Sequence, residues 1–342
     1  MERNPPPRVG LAAVAREAGV STATVSNTLN RPEIVAAATR ARVLSVIERL
    51  DFVPNTTAAS LRTGTNRLIG LVVPDITNPF YSEIAKGVAA AADEQRLGVI
   101  LCNSQDDPVR ELSQLEMLAE QRAAGALVVP ITADAKRLAR LRSLGTHLVL
   151  IDREADDGCS TSIDDVAGGR LAAQHLLSTR GDDFVLVNGS HAIPQCIDRR
   201  SGARAALSAA GLEPDDLVEY EVTEMTTEAG VGVARLLLTA AEAGAPLPSG
   251  VLCTNDQLAI GIIRGLTQHG VSVPEQVAVV GYGDLAIAAD APIPLTTVEQ
   301  PKYALGHAAV EMLVAEIRGE QSGHRHSTSV FRPSLVVRDS AP

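Results

Sequence analysis

From Leu68 onward the chain repeats one rhythm: a short apolar run, a helical stretch, another apolar run. LIGLVV (68–73), GVILCN (98–103), GALVVP (125–130) and HLVLID (147–152) are apolar along almost their whole length. Half-exposed strands would alternate polar and apolar residues; continuous runs belong to strands covered by helices on both faces. The intervening segments predict helices over Tyr81–Leu97, Pro108–Arg122, Ala135–Leu144 and Ala167–Thr179. A second set starts at FVLVNG (184–189). It continues through a helix at Arg200–Ala210, a strand at Leu217–Val222 and a helix at Glu228–Ala241. GVLCTN (250–255), a helix at Asp256–Gln268 and VAVVGY (277–282) complete it. Two such sets predict an α/β body of two lobes with parallel sheets. A helix at Pro301–Arg318 and a strand near Ser334–Val337 close the chain, with EQSGHRHSTSV (320–330) between them read as a polar loop. No GxGxxG follows the first strand and no GxxxxGK[ST] occurs, so nucleotide-phosphate chemistry has no support.

Composition narrows the class. Aromatic residues are 2 % of 342 and tryptophan is absent, so the cores must be built from Ala, Val, Leu and Ile. The net charge of -11 is unevenly spread: the first 67 residues carry nine arginines against five acidic residues, and the acidic excess lies entirely behind them. Local charge decides where a polyanion docks, so a small basic module precedes an acidic body. No run approaches the ~20 apolar residues of a membrane span, and Met1–Arg8 has no apolar core of a signal peptide. A cytoplasmic protein without a membrane association is expected. Cys102, Cys159, Cys196 and Cys253 are far apart with no CxxC spacing, which predicts isolated reduced thiols and no metal or cofactor site.

The basic module reads as three helices. Leu11, Val14, Ala15 and Ala18 share one helical face, Gly19 stops that helix, and Ser21 caps the next, about Thr22–Leu29. A third, about Ala37–Leu50, offers Val43, Leu44, Ile47 and Leu50 as cover. Helix, glycine turn, helix is helix-turn-helix spacing. In such a unit the second helix enters the major groove. Thr22, Ala23, Ser26 and Asn27 are then the exposed base-reading candidates, and Ser21, Thr24 and Asn30 the phosphate-holding ones. A plain three-helix cap remains open on these residues alone. Pro54 ends the third helix, Asn55 can cap a segment Thr56–Leu61 too short to be stable by itself, and a polar connection runs to Arg67. A linker is the simplest reading of it.

The polar residues just beyond the strands of the body point to a ligand cleft, because open α/β sheets bind at their carboxyl ends. They are Asp75 and Asn78, Asp152 and Arg153, Asn255 and Asp256, and Gly283 and Asp284. Asp, Asn and Arg clamp vicinal hydroxyls, and Phe80 or Tyr81 can cover a sugar face. An enzyme finds less support. His175, His191 and His307 are isolated, HExxH and GxSxG are missing, and Asp75 with Asp152, which in principle could pair for acid–base work, reads better as a set of acceptors for ligand hydrogen bonds.

VGLAAVAREAGVSTATVSNTLN (9–30), TRARVLSVIERLDFVPNTTAASLRTG, IGLVVPDITNPFYSEIAKG, GALVVP, LIDRE, CTNDQLAIG, VPEQVAVVGYGD and PLTTVEQ follow one another in order. Together, from Val9 to about Arg338, they resemble the lactose/galactose repressor family. The resemblance implies a transcriptional repressor that binds a palindromic operator as a homodimer and responds to a sugar-like effector. It implies a headpiece (1–54), a hinge (55–67) and an effector-binding and dimerisation body (68–338). One lobe takes about 68–166 and 301–318, the other about 167–295 and 325–338.

By motif position Thr22, Ala23 and Asn27 read bases, and Ser21, Thr24, Ser26 and Asn30 face phosphates or nearby bases. In the hinge Leu61 wedges into the minor groove beside Arg62, with Asn55 in the same DNA-contacting set. The implied effector set is Asp75, Asn78, Phe80, Asp152, Arg153, Arg199, Asn255 and Gln300, joined by Asp256 and Asp284. The sequence also departs from the pattern. Gly10 and Ala36 replace side chains that cap helices, and Ala13 replaces a polar or acidic residue. Asn27 and Ala59 stand where Arg, or Arg or Gln, is common, and Gly283 replaces an Asp that binds sugar hydroxyls. A solute-binding module without DNA function and a sugar-modifying enzyme are the alternatives.

Overall fold

The computed structural model describes residues 10–52, 66–131, 142, 146–155, 157–319 and 324–342. The chain divides into two compact units at Asn66 and Arg67. The expected hinge contacts Asn55, Leu61 and Arg62, and the predicted helix 135–144 apart from Arg142, lie outside the described residues.

Among the described residues of the smaller unit, α1 (Leu11–Ala18), α2 (Thr22–Asn30) and α3 (Ala37–Arg49) form three helices, with a 3₁₀ turn at Pro32–Ile34. Gly19 ends α1 in the left-handed region, φ 64°, where its N–H reaches the Ala15 and Arg16 carbonyls. The core is Val14, Ala15, Ala18, Val25, Val43, Val46 and Phe52. Leu44, expected inside, is exposed, and Val46 takes its place. The reason is angular: Val43, Val46, Ile47 and Leu50 follow i, i+3, i+4, i+7, and Leu44 is turned about 100° from that stripe. Phe52, just past α3, folds back to close the bottom of this small core. An ion pair of Arg49 with Glu17 joins α3 to α1 at the surface.

Gly10 and Ala36 precede α1 and α3 without any side-chain cap, whereas Ser21 accepts a hydrogen bond from the Thr24 N–H at 3.1 Å. The Ala36 backbone is already extended (φ -54°, ψ 138°), so a hydroxyl there needs no rearrangement. Ala36→Ser should stabilise this unit by about 1 kcal/mol. In calorimetry of the full chain its transition should move up while that of the body stays in place.

The larger unit has two six-stranded sheets. The first lobe contains β1 (Leu68–Val73), α4 (Pro79–Glu94), β2 (Gly98–Asn103), α5 (Pro108–Glu120), β3 (Gly125–Val128), β4 (His147–Ile151) and β5 (Cys159–Ile163). The second contains α6 (Asp165–Arg180), β6 (Phe184–Asn188), α7 (Pro194–Ala209), β7 (Glu219–Glu221), α8 (Thr227–Glu242), β8 (Gly250–Cys253), α9 (Asp256–Gln268), β9 (Ala278–Gly283), α10 (Ala286–Asp290) and β10 (Thr296–Glu299). The chain then returns to the first lobe as α11 (Lys302–Gly319) and β11 (Thr328–Phe331), and ends in the second as β12 (Ser334–Val336). The sheet orders are β11-β5-β4-β3-β1-β2 and β12-β10-β9-β8-β6-β7. All pairs are parallel except β10 with β12.

The lobe boundaries implied for the tail change accordingly. β11, within the segment assigned to the second lobe, pairs with β5 of the first, and only β12 joins the second sheet. Three crossings therefore link the lobes: at Asp164, at Gln300–Pro301 and at Arg332–Pro333. Helices pack closely enough to need glycine. A Cβ on Gly87 of α4 would lie 2.0 Å from the Tyr303 carbonyl oxygen of α11, and one on Gly306 would meet the Ile84 carbonyl at 2.3 Å.

Candidate functional site

In the headpiece, the N-terminus and one side of α2 form the candidate DNA-reading surface. Ser21, Thr22, Ala23 and Asn30 are exposed, and Thr24, Ser26 and Asn27 are partly so, while Val25 and Thr28 face inward. The Ser21 and Thr24 hydroxyls lie 2.9 Å apart. One hydroxyl hydrogen is used between them, which leaves the other for an outside acceptor. Asn30 donates through Nδ2 to the Ser26 carbonyl at 2.9 Å, so part of its amide serves the helix end.

In the body the predicted polar residues do follow the carboxyl ends of the strands. Beyond β1, Asp75 holds Thr77 in a tight turn, and Asn78 caps α4 by accepting from the Phe80 N–H at 3.0 Å. Phe80 packs edge-on against Tyr81 and onto the first-lobe core. Beyond β4, Asp152 sits at φ 60°, a left-handed backbone that turns its side chain across the strand end.

Gln195, at the start of α7 in the other lobe, donates through Nε2 to the Asp152 carbonyl (2.9 Å) and to its Oδ2 (3.0 Å). Asp152 Oδ1, Arg153 Nε and Gln300 Nε2 are buried without hydrogen-bond partners. Burial, reinforced by the nearby Asp165 charge, pushes the Asp152 carboxyl up to about 7 despite Arg199, Gln195 and Arg153. Burial, with Asp152, Asp106 and Asp75, also pushes the Tyr81 hydroxyl well above its ordinary value. Asp152, Arg153, Arg199 and Tyr81 thus border one acidic, poorly solvated region between the lobes. An acceptor oxygen of Asp152 and a donor of Arg153 lie unused there, which is what a small hydroxylated molecule would satisfy.

The second-lobe candidates are arranged differently. Arg199 is almost fully buried. Its Nε donates to Asp165 Oδ1 (2.9 Å), its Nη1 to the Thr254 carbonyl (2.7 Å), and its guanidinium lies 4.0 Å from the Tyr282 ring centroid. Tyr282 Oη donates to the same Asp165 oxygen at 2.7 Å. Burial alone would lower the Arg199 pKa, but Asp165 and the other neighbours raise it further than burial lowers it.

Asn255 caps α9 with its oxygen and donates to the Met225 carbonyl with its nitrogen. Asp256 is fully buried and accepts from the Leu285 N–H and the Thr297 hydroxyl, so it belongs to the lobe interior and not to the cleft wall. Asp284 accepts from Arg338 Nη2 at 2.7 Å. At Gly283, where the family pattern has Asp, φ is 136° and the carbonyl accepts from the buried Lys302 ammonium at the start of α11.

Gln195, Asp165, Tyr282 and Lys302 were not among the sequence candidates. Pro194 was the usable signal for the first of them: proline favours the first helical position, which starts α7 there and not at Arg200.

Residues 11–55 match the model of the lacI family of bacterial regulatory proteins, and residues 173–341 match a periplasmic binding protein-like domain. The ribose operon repressor of Escherichia coli (strain K12) is 35% identical over 333 residues, 96% of this chain and 98% of that protein. The chain belongs to the lacI family. The HTH-type transcriptional repressor PurR of Photobacterium profundum is 32% identical over 330 residues, 96% of this chain and 97% of its own length.

Among solved structures, the lac repressor dimer bound to operator and the anti-inducer ONPF has a TM-score of 0.86 at 24% identity. The match covers 98% of this chain and 99% of that one and shows a common fold. A complex of the transcriptional regulator CelR with cellobiose matches at 30% identity with a TM-score of 0.72, covering 97% of this chain and all of the other. This lacI-family chain is accordingly a DNA-binding transcriptional regulator with an effector-binding fold. No described helix is long and apolar enough to cross a membrane.

Proposed function

We propose that the chain is a cytoplasmic repressor that binds a palindromic operator as a homodimer, with operator affinity governed by a small sugar held between the body lobes. Thr22, Ala23 and Asn27 read bases; Ser21, Thr24, Ser26 and Asn30 hold phosphates or adjacent bases. In the hinge, Leu61 wedges into the minor groove, Arg62 makes a minor-groove or phosphate contact beside it, and Asn55 belongs to the same DNA-contacting set. The reading of a sugar rests first on Asp152 Oδ1, Arg153 Nε and Gln300 Nε2, a buried acceptor and two buried donors left unpaired. A polyol hydroxyl donates to the first and accepts from the others. A ribose operon repressor among the relatives and cellobiose in the CelR complex support a sugar.

The second lobe supports a small one. Gly283 supplies no carboxylate, Asp284 is engaged by Arg338 and Asp256 is buried, so the first lobe carries most of the hydroxyl recognition. Asp75, Asn78 and Phe80 line the same side. Arg199 and Asn255 shape the opposite wall through the bonds they make within their lobe.

A thermal-shift screen of the full chain against pentoses, hexoses, disaccharides, sugar phosphates and nucleosides tests this. A monosaccharide should raise the melting temperature of the body in proportion to the logarithm of its concentration. A response confined to nucleosides, or to no member of the panel, would refute the sugar reading.

A further inference from the structure

Far from the cleft, at the amino ends of its strands, the first lobe gathers four side chains of metal-ligand type. Cys159 begins β5, Glu316 lies in the last turn of α11, and His324 and His326 stand on the segment that enters β11. Asp152 follows the carboxyl end of β4, whereas His147, which adjoins this cluster, begins that strand, so the two regions sit at opposite ends of the strands of one sheet.

Cys159 Sγ is 3.1 Å from His324 Nε2 and 3.7 Å from His326 Nδ1, and the four potential ligand atoms all lie within 4.8 Å of one another. A second observation points to a missing partner: Glu316 Oε2 is buried without a hydrogen bond, while Oε1 lies 3.3 Å from His147 Nδ1.

We propose that Cys159, Glu316, His324 and His326 form a zinc site. Tetrahedral zinc with sulfur at about 2.3 Å and nitrogen at about 2.0–2.1 Å sets its ligands roughly 3.5 Å apart, which the cysteine–histidine separations bracket. One thiolate, two imidazoles and one carboxylate suit a borderline-soft ion and disfavour magnesium or calcium. His147 then orients the ligating carboxylate from behind, as outer groups do at such centres. Cys159 is buried and His326 is exposed, so the ion enters from solvent on the histidine side.

The ion clamps three otherwise separate pieces: the start of β5, the end of α11 and the approach to the edge strand β11. Beyond β11 the chain crosses back to the second lobe, so the clamp also fixes the take-off of that crossing. Only the spacing His324-Arg325-His326 marks the site locally; Cys159 lies more than 150 residues earlier in the chain.

The test uses untagged full-length protein stripped with a chelator, returned to buffer and titrated with zinc against a chromophoric chelator. Cobalt(II) is added separately to report thiolate ligation. One zinc per chain, a thiolate-to-cobalt charge-transfer band and a higher melting temperature of the body are expected. Cys159→Ser should abolish the band, and His326→Ala, at an exposed position that leaves folding intact, should weaken zinc binding by about tenfold or more. Cys102→Ser should bind as the parent does. Zinc affinity unchanged in His326→Ala, or cobalt bound without a thiolate band, would overturn the site, whether or not Cys159→Ser folds.

Discussion

Arg199→Ala should lower the stability of the body by about 3–5 kcal/mol, a larger effect than its loss as a ligand contact would produce. The substitution leaves Asp165, a nearly fully buried carboxylate, with the Tyr282 hydroxyl but without its countercharge. It also removes the donor to the Thr254 carbonyl and the cation over the Tyr282 ring. Breaking one half of a buried pair is costly because the other half stays behind unpaired. Lysine restores the charge without the fork that reaches Asp165 and Thr254 together, so Arg199→Lys should recover only part of the loss. Urea unfolding of the two variants provides the measurement. An unchanged midpoint in Arg199→Ala, with effector affinity lost, would make Arg199 a ligand contact and not the second lobe's internal strut.

The second large effect concerns Asp152. Asp152→Asn should weaken effector binding by about 10–100-fold, the worth of a hydrogen bond to a buried charged acceptor. It should not destabilise the free protein at neutral pH. Burial raises this carboxyl from 3.8 to about 7, so the folded chain holds a proton there that the unfolded chain has released. The contribution of Asp152 to stability is therefore fully present below the unfolded value and is lost as the pH rises through about 7. Asparagine keeps an oxygen for Gln195 and removes that loss.

Effector binding has the opposite dependence. Sugar hydroxyls donate to the ionised carboxylate, so affinity should increase with pH, by up to tenfold per unit for one released proton, and level off above about 7. Calorimetric titration in buffers of different ionisation enthalpy reads the released proton directly. An affinity with no pH dependence in the parent protein would remove Asp152 from the recognition of hydroxyls.

The strand–helix rhythm was legible because buried parallel strands such as Leu68–Val73 and Gly250–Cys253 are written as apolar runs. β5 was not. CSTSI is buried on every residue but polar in three, and nothing local says that the Ser160 hydroxyl will meet the Thr328 hydroxyl at 2.9 Å on β11. β11 went unread as a strand for the same reason, and the lobe boundary moved with it. The candidate cleft divides in a similar way. Position beyond a strand end nominates Asp152 and Arg153 no differently from Asp256, whose oxygens are used by Leu285 and Thr297 far along the chain. Gly19 and Ser21 were readable because their roles depend only on immediate neighbours.

The most direct measurement is the anisotropy of a labelled palindromic duplex, drawn from upstream of the protein's own gene neighbourhood and titrated with full-length protein. It is repeated across salt concentrations and with the sugar that best raises the body's melting temperature. Salt-sensitive binding by two chains per duplex is expected, with an affinity changed about tenfold or more by that sugar and about 10–100-fold more sugar needed for the same change in Asp152→Asn, as when one ligand state favours DNA over the other. Failure to bind any such duplex at low salt, or binding that the sugar leaves untouched while still occupying the body, would contradict that expectation.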